Sequence, residues 1–98
     1  MTVWVHPRAS DEFLDAIAYY EERERGLGLD LRAEILAAID RIEGSPQVWP
    51  EIDPGIRRCL VHRFPYSVLY MIQPPGIRIL AVMHLHRDPG YWKDRTES

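Results

Sequence analysis

The sequence holds one cysteine, Cys59, and one lysine, Lys93, and none of its apolar runs exceeds five residues, Ile79 to Met83 being one of them. A single thiol excludes an internal disulfide, and such short runs exclude a transmembrane helix, which needs ~20 apolar residues. The opening MTVWVHPR has no charged segment followed by an apolar one, so no secretory signal is expected and the chain reads as cytoplasmic. Also absent are CxxC, HExxH, GxGxxG and the phosphate-cradling GxxxxGK(S/T) loop, which removes most metal, dinucleotide and nucleotide enzymes. His84 and His86 share parity in one apolar run, but two ligands do not complete a zinc site that needs three or more. No metal and no cofactor is therefore expected.

What is present is the composition of a folded globule. With 46% hydrophobic and 28% charged residues, 98 residues make one domain, 1–98, with a modest core. The net charge of −3 conceals a polarity along the chain. Residues 1–53 carry twelve acids against five arginines, a net of −7; residues 54–98 carry seven bases against three acids, a net of +4. Eleven of the twelve bases are arginine, whose planar fork suits carboxylate and phosphate. His62, His84 and His86 lie in the same basic half. The overall acidity speaks against a general nucleic-acid-binding module.

Hydrophobic periodicity orders the elements. Thr2 to His6 reads as a short strand ended by Pro7. Ser10 is the expected N-cap of a helix running to about Arg25, with Asp11 and Glu12 in its first turn and Phe13, Ala16, Ile17 and Tyr20 on its apolar face. Gly26-Leu27-Gly28 breaks it. A second helix, with Asp30 as candidate cap, carries Leu31, Ile35, Ala38, Ile39 and Ile42 and stops at Gly44-Ser45-Pro46. The proline-rich stretch Gly44 to Gly55 reads as a connecting loop. Three strand-like runs follow, Arg57 to Arg63, Ser67 to Ile72 and Ile77 to His86, separated by turn-like breaks. In the last run the odd positions Ile77, Ile79, Ala81, Met83 and Leu85 are apolar and are expected to form one buried face. The order β-αα-βββ predicts an α+β fold, an antiparallel helical hairpin packed on one face of a small antiparallel sheet.

Chemistry-bearing residues gather late in the chain. Arg58, His62, Arg63, His84, His86, Arg87 and Tyr91 could converge at one end of the sheet, where a base, an acid and fixed positive charge would suit cleavage of a phosphodiester by its ribose 2′-hydroxyl. The same residues also suit a solvated sheet face, and clustering of ionisable groups alone does not separate the two. Cys59 reads as a small buried apolar residue. The aromatic residues are too dispersed along the chain to predict a base-stacking platform.

Taken together, Ala18-Tyr19-Tyr20-Glu21, Gly26-Leu27-Gly28, Glu34 through Ile42 with Ser45-Pro46, Trp49-Pro50, Arg57-Arg58, RFPYSVLY at 63–70 and HLHRDPGYW at 84–92 resemble the RelE/ParE superfamily of toxins from type II toxin–antitoxin, or plasmid-stabilisation, modules. The resemblance spans nearly the whole chain, and it is closer to the ParE branch. It implies a small bacterial toxin neutralised by a cognate antitoxin that fills a groove or adds a strand, with operator DNA contacted only through that antitoxin. A ParE-like toxin would inhibit DNA gyrase without being an enzyme. The RelE-like alternative, an mRNA endonuclease acting in the ribosome, would assign catalytic roles to Arg58, Arg63, His84, Arg87 and Tyr91. That branch is usually basic and lysine-rich, whereas this chain is net acidic, which favours the gyrase reading. A third reading is a domain that still binds an antitoxin but has lost its toxicity.

Overall fold

The computed structural model describes residues 2–97. Its elements are β1 (Thr2–Val5), α1 (Pro7–Arg23), α2 (Leu27–Gly44), β2 (Glu51–Asp53), β3 (Ile56–Leu60), β4 (Tyr66–Gln73) and β5 (Gly76–His84), followed by a single 3-10 segment over Lys93–Glu97. The α+β class and the helical hairpin on one sheet face are as expected. The sheet itself differs in two respects. It is mixed, in the order β1-β5-β4-β3-β2 with β1 parallel to β5, and it has a strand within the stretch expected to be all loop. That strand, β2, is short enough to fit between Pro50 and Pro54 and pairs with β3 through Glu51 and Asp53.

Pro7 ends β1, and it also opens α1 one turn earlier than the Ser10 cap would place it. Its fixed φ and missing N–H suit the first helical position. The cap is His6, whose Nδ1 accepts from the Arg8 N–H at 3.1 Å. Asp11 and Glu12 therefore lie beyond the first turn. α2 likewise starts early, at Leu27 rather than after Asp30. Gly26 turns the chain at φ 89°, and the Glu21 carboxylate accepts from the Gly26 N–H at 2.9 Å and the Gly28 N–H at 3.0 Å. Glu21 thus does from α1 what a capping side chain does locally. At Gly28 the helices cross so closely that a Cβ would run into the Ile17 carbonyl.

β5 is irregular. Leu69 pairs with Ala81 and Tyr70 with Ile79, so Leu80 is an extra residue and side-chain parity reverses across it. Ile77, Ile79 and Val82 join Ala16, Leu31, Ile35, Ala38, Ile42, Cys59, Val68 and Tyr70 in the core beneath the helices. Leu80, Ala81 and Met83 point to the opposite face, where they pack with Ile56, Leu69 and Trp92 in a second cluster. The single buried face expected of the odd positions is therefore split between two cores, and Leu85 lies past the strand, 44% exposed. β3 stops at Leu60 rather than continuing to Arg63, which sits at φ 71° in the turn before β4.

Two stability outcomes follow. Glu21→Ala removes the acceptor for two helix-start N–H groups and is expected to cost about 1–2 kcal/mol in chemical denaturation. Gly28→Ala, although alanine is the better helix former, is expected to destabilise by about 1–3 kcal/mol because the crossing has no room. His6 gives a pH dependence. Burial holds its pKa below the usual histidine value, helped by Arg95, Arg78 and Arg8 and opposed by Asp94. The unfolded chain therefore takes up the proton first, and stability is lost as pH falls through about 6.5 toward the lower folded value. His6→Asn, which still caps, should flatten that part of the stability–pH curve, and the His6 ring signals in NMR should titrate below the unfolded-peptide value.

Candidate functional site

The side chains that matter meet where α1 crosses the far half of β5. Beyond Ile79, β1 no longer runs beside β5, and the exposed strand edge is closed by side chains. Glu12 Oε1 accepts from the Val82 N–H at 3.1 Å, and the Leu80 carbonyl accepts from Arg95 at 3.0 Å. Glu12 and Arg95 pair with each other through two hydrogen bonds, of 2.9 and 3.1 Å. Arg95 is only 4% exposed and the Glu12 side chain 15%, so this is a buried, bidentate ion pair. Burial disfavours the Arg95 charge, but the hydrogen bonds and charge of Glu12 outweigh it and raise its pKa.

Tyr91 lies under this pair. Arg87 stacks over its ring at 4.0 Å and Arg95 at 5.0 Å. Burial raises the Tyr91 pKa strongly, and the facing Glu12 carboxylate adds to it. Arg87 is mostly exposed and reaches Glu12 at 4.0 Å. His84 completes the wall. Its Nδ1 accepts from the His86 N–H at 3.1 Å, which leaves Nε2 as the N–H donor of the neutral ring. Glu12, Asp15, Ala16, Tyr19, Tyr66, Val82, His84 and Arg87 enclose an open groove of 250 Å³.

Four of the aromatic residues, Tyr19, Tyr20, Phe64 and Tyr66, are brought together beside this groove, whereas Trp49, Tyr70 and Trp92 lie elsewhere. Tyr20 meets Tyr19 and Phe64 edge-on at 5.2 Å and Tyr66 at 6.2 Å, and Tyr66 meets His84 at 5.1 Å. Arg23 covers the Tyr19 ring at 3.8 Å. Tyr20 is thus in contact with three rings, and Tyr19 with one ring and one arginine. Burial, with Tyr20 and Tyr19 nearby, raises the Tyr66 pKa.

The sequence-derived constellation is divided among three places. His84, Arg87 and Tyr91 come together at the α1/β5 groove. Arg58 sits on the opposite sheet face and strand edge, in contact with the depressions beside Trp92 and Trp49, and His62 shares the second of these. Arg63 turns toward α2, 3.5 Å from Asp30 and 3.9 Å from Glu34. The parity reversal at Leu80 carries His84 to the helix side, whereas Arg58, paired with Leu69, stays on the outer side. Sequence reasoning missed Glu12 and Arg95, whose partnership spans 83 residues; one resembles a first-turn acid and the other a tail charge.

No family model and no curated protein matches this chain. Among solved structures, a chain of the one described as "Chromosomal ParDE TA system from P. aeruginosa" superposes with a TM-score of 0.68 over 88% of this chain and 97% of that one, at 19% sequence identity. The two chains share a fold over almost their whole lengths.

Removing one member of a buried pair strands the other charge, at a cost of about 3–5 kcal/mol. Glu12→Gln and Arg95→Met are each expected to destabilise strongly in urea, and the double variant is expected to lose less than the sum of the two, a coupling of at least ~1 kcal/mol in a double-mutant cycle. Additive losses would mean that the two side chains act independently.

Proposed function

We propose that this chain is the toxin of a type II toxin–antitoxin pair, that it acts in the cytoplasm by inhibiting DNA gyrase, and that a cognate antitoxin neutralises it. The observation that carries this reading is the fold shared with a component of a ParDE system over nearly the full length of both chains. The groove beside α1, lined by Tyr19, Tyr66, His84 and Arg87, offers an antitoxin segment both apolar and charged contacts.

The preference for gyrase over mRNA rests on the separation of the ionisable groups. RNA cleavage needs a base, an acid and a phosphate clamp around one ribose. Here Arg58 and Arg63 lie apart from His84 and Arg87, and Arg63 faces two carboxylates. A net charge of −3 also gives little general attraction to a ribosomal site crowded with phosphate.

Expression without an antitoxin is expected to arrest growth, and the purified chain is expected to inhibit gyrase supercoiling or accumulate its cleavage complexes, with no ribosome-dependent cutting of mRNA. Healthy growth at good soluble yield would count against any toxin reading. Inert gyrase assays with clear cutting in the ribosomal A site would replace gyrase by the endonuclease reading, in which case Arg87→Ala should lower cleavage.

A further inference from the structure

A second concave site lies on the other side of the molecule, at the edge of β3. β2 pairs with β3 only at Glu51–Arg57 and Asp53–Ile56, so the part of β3 beyond these residues has no strand on that side. Arg41 reaches across from α2 instead and donates to the Leu60 carbonyl at 3.1 Å. The space left between α2 and the strand is a pocket of 360 Å³ lined by Arg41, Trp49, Pro50, Arg58, Leu60 and His62.

Three features of this pocket point to a ligand. Its polar lining is basic, with two arginines and a histidine and no acid. Neither Arg41 nor Arg58 has a carboxylate of the described residues within 4.0 Å, in contrast to Arg8, Arg63, Arg87 and Arg95, and the Arg41 Nε is buried without a partner. The remaining walls are apolar and held in place. The Trp49 indole N–H donates to the Arg41 carbonyl at 3.4 Å, the Trp49 carbonyl accepts from Arg57 at 2.6 Å, and Leu60 is left 51% exposed beside it. Uncompensated arginine next to a fixed aromatic wall is the surface expected to receive a negative charge attached to an apolar group.

We propose that this pocket docks an acidic peptide segment of a partner protein, with one carboxylate among Arg41, Arg58 and His62 and the adjoining bulky apolar side chain on Trp49 and Leu60. A nucleic-acid strand fits less well. Glu51 and Asp53 are exposed on the neighbouring strand, and Asp53 shares the next depression with Arg58, so a chain of phosphates would meet acids on leaving the pocket while a single carboxylate would not.

The test is an NMR titration of the 15N-labelled chain with the blocked tetrapeptide Ac-Gly-Glu-Leu-Gly-amide. Saturable shifts are expected at the Trp49 indole N–H and at the amides of residues 58–62. Replacing the peptide's Glu by Gln, or making Arg58→Gln in the protein, is expected to weaken binding about tenfold, the range of one charge-assisted hydrogen bond. Arg58 is partly exposed, and an unchanged spectrum away from the pocket would show that the variant keeps its fold. The proposal is overturned if the shifts do not saturate at millimolar peptide, if the Gln peptide binds equally well, or if a single-stranded oligothymidylate shifts the same resonances at lower concentration.

Discussion

The Glu12–Arg95 ion pair is the interaction on which the rest of this structure depends. β1 is only four residues long, so it covers just the first half of its neighbour β5, and the second half would present unpaired backbone groups to solvent or to the overlying helix. Buried backbone donors and acceptors without partners are costly. Glu12 and Arg95 supply those partners at Val82 and Leu80 and neutralise each other at the same time. One side chain comes from α1 and the other from the C-terminal segment, so the pair also fixes where the helix crosses the sheet and how the tail returns to it. Trp92, 2% exposed against Leu80 and Met83, secures the same tail from the outer face.

The bulge at Leu80 is the second constraint. By reversing parity it lets a single strand furnish apolar side chains to two cores, one beneath the helices and one beneath the tail. It also decides which polar residues can meet. His84 emerges on the helix side beside Tyr66 and Arg87, and Arg58 on the outer side two strands away. One basic half of the sequence therefore becomes two separate basic surfaces, each bordered by acids. Such mixed surfaces favour protein partners, whose charges alternate in sign, over a uniform polyanion.

Much of the architecture is legible in the sequence because it depends on local chemistry. The period of Leu31, Ile35, Ala38 and Ile42 and the glycine turn at 26–28 suffice to predict two helices in a hairpin, and the apolar runs with their turn breaks suffice for three strands. The misplacements have equally local causes. Pro7 both ends a strand and starts a helix, and His6 caps with a ring nitrogen where Ser10 looked the better acceptor. β2 is not legible because three residues between prolines carry no periodic pattern. The candidate site was less legible. His84, Arg87 and Tyr91 stand out by residue type and do gather at one groove, but the wider set does not.

The helical hairpin, the α+β class, the lack of a disulfide within the chain and the unequal distribution of charge can all be read from the residues alone, since each follows from residue type and short-range spacing. The parallel seat of β1, the reversal within β5, the pairing of Glu12 with Arg95, and the division of the basic half between two faces emerge only once the chain is folded. These depend on backbone groups left over when strands of unequal length are laid side by side, and on contacts such as that of Glu12 with Arg95, 83 positions apart. No local pattern encodes them. They arise when buried polar groups must find partners wherever the fold has brought some within reach.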